Sequence, residues 1–304
     1  MKSVDITVII PTFNRSENLS VALTSLVNQS TQDFEIIVVD NDVKGSAATV
    51  VRRFLPFPIV LIREPRLGHS FAKNSGLRKA GGKFCLFLDD DAKVDPDFVA
   101  NALSIIKNRE SPVVFGGPVK PYFPDGKPAW FKSSYEQRSF GKQTKTLSEN
   151  EFLPTSSTFI ATSLLKQIHG FDTNFGIKGS VRRFGEDTDV LRRIRQQNPG
   201  LHIMYFPVLA VWHATPAEKT TLKYRFAHQY NLGASGSAVS GEVVLPGKTI
   251  LKALYAVAAM KLGFIKGWFF RNKNLYPYWQ NYAYEKISPH MYWLGLLSVK
   301  KVNQ

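Results

Sequence analysis

Residues Phe84–Pro96 read FCLFLDDDAKVDP. The apolar run Phe84–Leu88 suits a buried strand, and three carboxylates, Asp89, Asp90 and Asp91, follow at once. Adjacent like charges repel, and burying them unpaired is costly. On an extended or turning backbone the first and third side chains point the same way. Asp89 and Asp91 are therefore candidates to hold Mg2+ or Mn2+, directly or through water, with a diphosphate supplying further oxygens. The plainer reading is that the three acids cap the next helix or face solvent.

Working outward, Val4–Ile10 reads as a strand ended by Pro11, and Ser16 as the cap of a helix over about Glu17–Gln29. Phe34–Val39 is a second strand, ending in Asp40. A helix near Ala47–Phe54, a strand at Ile59–Ile62 and a helix at Ser70–Lys79, closed by Gly81-Gly82, lead back to Phe84. Downstream, Asp95-Pro96 opens a helix to about Asn108, and Val113–Phe115 is a fifth strand. Apolar strands alternating with helices predict an α/β fold, a parallel sheet covered on both faces. Ligands of such sheets sit beyond the carboxyl ends of the strands. Thr12-Phe13-Asn14, Asp40 and Asp89–Asp91 all fall there, so three separate stretches are expected to share one crevice. No G-x-x-x-x-G-K-[ST] loop and no G-x-G-x-x-G follows the first strand.

The chain has 304 residues, 44% hydrophobic and 21% charged, an ordinary globular mix for one large domain or a domain with an appendage. Thirty-nine Lys and Arg against 24 Asp and Glu leave a net charge of +15, which favours anionic partners: nucleotides, nucleic acid or lipid headgroups. The single cysteine, Cys85, excludes disulfide stapling, reads as a small core residue and fits a reducing compartment. Met1–Asp5 carries no secretory leader pattern. No RNA-binding aromatic signature or DNA-binding helix pair stands out, so nucleic acid is not an expected partner.

Four stretches, in order, carry a resemblance: VIIPTFNR (Val8–Arg15), IIVVDN (Ile36–Asn41), the run GHSFAKNSGLRKAGGKFCLFLDDDAKVDP, and GFDTNFGIKGSVRRFGEDTDVLRRI (Gly170–Ile194). Together they resemble family 2 glycosyltransferases of GT-A fold, over roughly Ile6–Gly233. The resemblance implies a Rossmann-like, mostly parallel sheet flanked by helices. It implies an inverting, metal-dependent transfer of a sugar from a nucleotide-sugar to an acceptor hydroxyl. Pro11, Thr12 and Asn14 would line the nucleobase end, and Asp40 would bind base or ribose. Asp89 and Asp91 would be the acids of the D-x-D motif, with Asp90 between them, and Asp91 the first choice as metal ligand. Asp187, beside Glu186, would be the general base; alternatively the two acids simply begin a helix, where they suit its dipole. His213, in VLAVWHATP after an apolar strand, would be a metal or diphosphate ligand; His69 and His228 have weaker claims. Two departures stand out. Lys73-Asn74 replaces the usual Arg-Asn, leaving a cation without a bidentate fork at the donor site. Thr155-Ser156-Ser157 replaces a Gly-Asn stretch before the acceptor helix.

The composition shifts after Gly241. Leu245–Gln304 holds nine Lys and Arg, one acid, Glu285, and twelve aromatics. Its longest uncharged run within Leu245–Phe270, Ala253–Met260, is far short of the ~18 residues that span a bilayer. Lysines with Trp and Tyr on helices suit a membrane interface, although Lys261 lies opposite the side shared by Lys248, Lys252 and Lys266. The expected organisation is a catalytic domain over 1–241, with a donor half to about 118 and an acceptor half after it. A basic, aromatic-rich helical tail over 242–304 would touch anionic membrane. With the resemblance, this implies a saccharide or lipid-linked acceptor and a cytoplasmic protein peripheral to the inner face of the cell membrane. The competing readings are a metal-dependent nucleotidyltransferase and a non-catalytic basic membrane-binding module.

Overall fold

The structure, a computed structural model, describes residues 4–108, 112–178, 181–240 and 246–298. The chain divides into two compact units, 1–122 with 136–181 and 186–214, and 123–135 with 182–185 and 215–304.

In the first unit, β1 (Ile6–Thr12), β2 (Glu35–Asp40), β3 (Ile59–Arg63) and β4 (Phe84–Phe87) alternate with α1 (Ser16–Val27), α2 (Ala47–Arg52) and α3 (His69–Lys79). After these come β5 (Ala92–Val94), α4 (Phe98–Ile106), β6 (Val114–Gly116), β7 (Val119–Tyr122), β8 (Lys145–Thr146), β9 (Thr158–Ala161) and α5 (Thr162–Gln167). A short strand, β10 (Gly176–Lys178), and β11 (Val181–Arg183), of which only Val181 belongs to this unit, precede α6 (Glu186–Gln197), β12 (Met204–Tyr205) and β13 (Val211–Ala214). The main sheet runs β3-β2-β1-β4-β9-β6-β12-β8. β1 pairs in parallel with β2 and β4, β2 with β3, and β6 with β12; β9 is antiparallel to both neighbours.

The period-two geometry of strands explains why these runs are apolar throughout. Ile6, Val8 and Ile10 of β1, Ile36 and Val38 of β2, and Phe84 and Leu86 of β4 face one core, with Leu19, Leu23 and Leu26 of α1. Their neighbours Ile9, Ile37, Val39, Cys85 and Phe87 face the other, with Ala72 of α3 and Val190, Leu191 and Ile194 of α6. Cys85 is a core residue: burial pushes its thiol up to about 11, against the Thr162 hydroxyl 3.3 Å away.

Three boundaries differ from the sequence expectation. Pro11 continues β1 rather than ending it; pairing with β4 stops at Ile9, so an imino acid breaks no bond on that side. Ser16 is the first helical residue, and no side chain caps α1. Asp95-Pro96 does not open α4, which starts at Phe98, because the chain after the acids first forms β5. That strand belongs to a second, three-stranded sheet, β5-β13-β7.

The second unit is helical: α7 (Leu222–Ser240), α8 (Pro246–Phe270), α9 (Trp279–Tyr282), a π-type turn at Ala283–Ile287, and α10 (Pro289–Ser298). Gly241 and Leu245, where the sequence reading placed the composition shift, lie outside the described residues. α7 packs on α10 at backbone range: a Cβ on Gly233 would lie 1.9 Å from the Tyr292 carbonyl oxygen, and one on Gly295 1.9 Å from that of Tyr230. Tyr276, Tyr282, Ala283 and Ile287 form a small core with Met260 and Trp279. Among the described residues no helix is long and apolar enough to cross a membrane.

Candidate active site

The loop after β4 splits the three acids. Asp90 turns inward, where its carboxylate accepts from the Thr12 hydroxyl at 2.8 Å and from Arg15 Nη1 at 3.2 Å. Burial, opposed by the Arg15 guanidinium, pushes Asp90 up to about 6. Asp91 lies between the two sides, its Oδ2 3.5 Å from Arg15 Nη1, and with Asp89 it faces His213. The antiparallel pairing of β13 with β5 sets His213 opposite Ala92, and the Ala214 N–H donates to the Asp91 carbonyl at 2.8 Å. His213 Nε2 lies 3.0 Å from Asp91 Oδ1 and 3.7 Å from Asp89 Oδ2. One donor atom from each of the three residues fits within 4.8 Å of the others.

His213 Nδ1 is 3.1 Å from the Ala214 carbonyl oxygen. A proton on Nδ1 would donate to that carbonyl and leave the Nε2 lone pair facing two carboxylates. Such a convergence of acceptors suits a cation, and a ring held through its other nitrogen is the usual support for a metal-binding histidine. His213 lies within β13, not after it, so its position is fixed by a ladder.

α3 and α6 supply the neighbouring cluster. Lys73, only 1% exposed, places Nζ 3.0 Å from Asp187 Oδ1, 3.0 Å from the Thr155 hydroxyl and 3.9 Å from Glu186 Oε1. Burial works to strip its proton and is the largest single influence; Asp187, Glu186 and Asp89 together outweigh it, so its pKa lies above the ordinary lysine value. Thr155 also donates to Asp187 Oδ1. His69, the first residue of α3, joins the clusters: Nδ1 is 3.4 Å from Glu186 Oε1 and Nε2 is 3.8 Å from Asp89 Oδ1. Burial would raise Glu186, but the His69 bond and the charges of Lys73 and His69 overcome it and hold the carboxyl well below the usual range. Glu186 and Asp187 also occupy the first turn of α6, where acids suit the helix dipole.

The expected donor residues are placed differently. Pro11 and Thr12 are buried; Asn14 is exposed, with a left-handed φ of 50°. Asp40 is buried, and both its oxygens accept backbone N–H bonds, from Asp42 at 3.0 Å and Ala47 at 2.9 Å. It organises the β2–α2 loop, with one acceptor site on each oxygen used by these bonds. Lys73 is turned to Asp187, not to open space. Sequence reasoning missed Asn41, which pins the loop before α3 by donating to the Glu64 and Arg66 carbonyls and accepting from the Gly68 N–H. It also missed the bridging place of His69, the bonds of Thr155 and the grip of Arg15 on Asp90. The one signal available was the hydroxyl run Thr155-Ser156-Ser157, noticed as a departure but not connected to Asp187. His228, in α7, stacks on Tyr224 within the second unit.

Residues 7–168, over half of the chain, match the family described as Glycosyl transferase family 2. The chain belongs to that family. This family 2 chain is 23% identical over 210 residues to the glucosyl-dolichyl phosphate glucuronosyltransferase of Haloferax volcanii, covering 66% of each. It is 34% identical over 108 residues to the GalNAc(5)-diNAcBac-PP-undecaprenol beta-1,3-glucosyltransferase of Campylobacter jejuni, covering 34% of each. It spans between 13% and 66% of the length of such curated relatives. S. aureus TarS 1-349 in complex with UDP superposes with a TM-score of 0.56 at 18% identity, covering 96% of this chain and 92% of that one. The shared fold is the GT-A architecture, a large, mostly parallel sheet flanked by helices.

Proposed function

We propose that the chain is an inverting, metal-dependent glycosyltransferase moving a sugar from a nucleotide-sugar to a hydroxyl of a saccharide or lipid-linked saccharide. The observation that carries the reading is the approach of two constellations: Asp89, Asp91 and His213 on one side, Glu186 and Asp187 on the other, with His69 between them. Asp89, Asp91 and His213 would hold Mn2+ or Mg2+; an imidazole beside two carboxylates favours Mn2+. When bound, the cation offsets charge on the departing diphosphate. Pro11, Thr12 and Asn14 at the end of β1 and Asp40 at the end of β2 would be the donor-side contacts, with Asp40 also bracing its loop and Arg15 holding the acids after β4. Lys73 and Thr155 fix Asp187 through Oδ1, leaving Oδ2 to take the proton of the acceptor hydroxyl. The hydroxyl oxygen bonds to the anomeric carbon as the bond from that carbon to the diphosphate oxygen breaks. The electron pair leaves with the diphosphate, and the configuration inverts.

Residues 1–118 then form a donor half and 119–241 an acceptor half, a division by role rather than by packing. Two relatives whose names carry a polyprenyl-linked saccharide support a lipid-linked acceptor. With the basic 242–304 tail, they support peripheral contact with the anionic inner face of the cell membrane, from the cytoplasm. The test is a panel of nucleotide-sugars with Mn2+ and a polyprenyl-diphosphate saccharide, read by product mass. Transfer that stops in EDTA is expected; undiminished turnover in excess EDTA would remove the cation from the reading.

A further inference from the structure

α8 has two faces, and neither is ordinary. Its inner face is small. Ala256 is buried, Gly263 lets Ile287 approach, and Gly267 leaves room for the Tyr282 ring. Its outer face is apolar and bare. Leu251 is 69% exposed, Leu262 66% and Phe269 72%, with Leu254, Tyr255 and Ile265 also exposed. At 3.6 residues per turn these six fall in an arc of about 100°, the width of a face normally buried in a core. Trp268 and Phe270 extend the bare surface at the helix end.

The charges on α8 are arranged around that arc. By the same turn geometry Lys252 and Lys266 lie past one edge, and Lys261 lies at the other, beyond which Val257, Phe264 and Trp268 continue the exposed apolar surface. No Asp or Glu occurs between Pro246 and Phe270. Lys252 extends over the Trp293 ring, 4.9 Å from its centroid. Lysine stems can run along an apolar surface while the ammonium reaches anionic groups at its margin. Water is a poor covering for such an arc. A second copy of α8 would bring lysine rows together with no helix acid to neutralise them. Crossing the bilayer would put Lys261 and Lys266 in hydrocarbon. An anionic interface satisfies both parts: acyl chains take the arc, and headgroup phosphates take the lysines.

We propose that α8 lies flat in the headgroup–acyl boundary of an anionic bilayer. Leu251, Leu254, Tyr255, Leu262, Ile265 and Phe269 point into the acyl chains, and Lys252, Lys261 and Lys266 contact the phosphates. The inference rests on the peripheral membrane contact proposed above and assigns it to one face of one helix.

The experiment uses the full chain and vesicles of phosphatidylcholine with and without phosphatidylglycerol, measured by co-sedimentation. The variant Leu262→Glu with Ile265→Glu changes only exposed positions; a thermal melt checks that it folds. Binding to mixed vesicles is expected to weaken at least ~10-fold, while donor turnover with a water-soluble acceptor is unchanged. The triple variant Lys252→Gln, Lys261→Gln, Lys266→Gln is expected to lose affinity for mixed vesicles and not for neutral ones. Equal loss on both would overturn the phosphate contacts. Wild-type binding that ignores the Glu substitutions keeps the membrane contact but overturns its placement on α8. Absence of wild-type binding overturns both. A vesicle-free dimer that the Glu pair dissociates would make the arc an interface between copies, and so overturn the proposal.

Discussion

The two compact units depart from the usual inside–outside rule in opposite directions. The α/β unit buries charge: Lys73, Glu64, Asp90 and Asp91 are all nearly inaccessible. The helical unit buries one arginine, Arg225, but mainly exposes grease, with most of the apolar residues of α8 outward. In the first, each buried charge has a partner at hydrogen-bond range, as desolvation demands. In the second, Tyr255 and Trp268 touch rings of their own unit, His290 and Trp279, and still stay about 70% exposed. A buried charge is thus accounted for inside the molecule, and an exposed apolar arc by what the molecule meets outside it.

The sharpest way to break this contrast is to remove a buried acid. Asp91→Ala is expected to abolish nearly all transfer while the fold persists, and donor binding is expected to lose its dependence on Mn2+. Metal-stimulated turnover that survives the change would take Asp91 out of the site. Next in size, Asp187→Asn is expected to cut transfer at least ~10²-fold with donor affinity retained, since the amide keeps the shape and cannot accept the proton. A collapse of donor affinity would move Asp187 to the donor side.

Lys73→Met tests pairing itself. Asp187 and Glu186 would lose their buried cation, and breaking a buried pair costs about 3–5 kcal/mol. A clear fall in chemical-denaturation midpoint is expected; an unchanged midpoint would mean that the acids do not need the ammonium. Glu64 gives a gentler test through pH. Bonds from Arg66, chief among the causes, hold its carboxyl at about 2 against an ordinary 4.5, despite burial. A depressed carboxyl contributes stability that is fully present above about pH 4.5 and is lost as pH falls toward 2. The variant Glu64→Gln is expected to flatten the stability profile across that window and to leave its slope near neutrality alone. The smallest effect belongs to the other unit. Leu262→Ser on α8 is expected to change stability in water by no more than ~0.5 kcal/mol, as at other exposed sites; a larger loss would mean the arc packs on protein.

The contrast also explains which parts were legible in the sequence. The central strands announce themselves because each is apolar on both faces, so composition alone marks them. β5, β7 and β13 do not: they are three or four residues long and mix buried with half-buried positions. Yet their pairing sets His213 beside Asp91. Lys73 and Asp187 lie 114 residues apart, and nothing local in α3 tells that its lysine turns to a carboxylate rather than to a phosphate. Asp40 hides a structural role for a related reason: nothing in β2 itself tells that two amides of the following loop will bind its carboxylate. On α8, attention to the lysines alone suggested an imperfect face. Once the six residues of the arc are placed, Lys261 falls at one side of it and Lys252 and Lys266 at the other.

Cys85 has a practical consequence. A thiol with its pKa at about 11, sealed in the core, supplies almost no thiolate at neutral pH. Maleimide reagents should therefore pass the native chain by. A cysteine introduced at Leu251, Leu262 or Phe269 would be the sole reactive thiol on the folded protein. An environment-sensitive dye attached there would report, position by position, how far that stretch of helix sinks into a lipid surface.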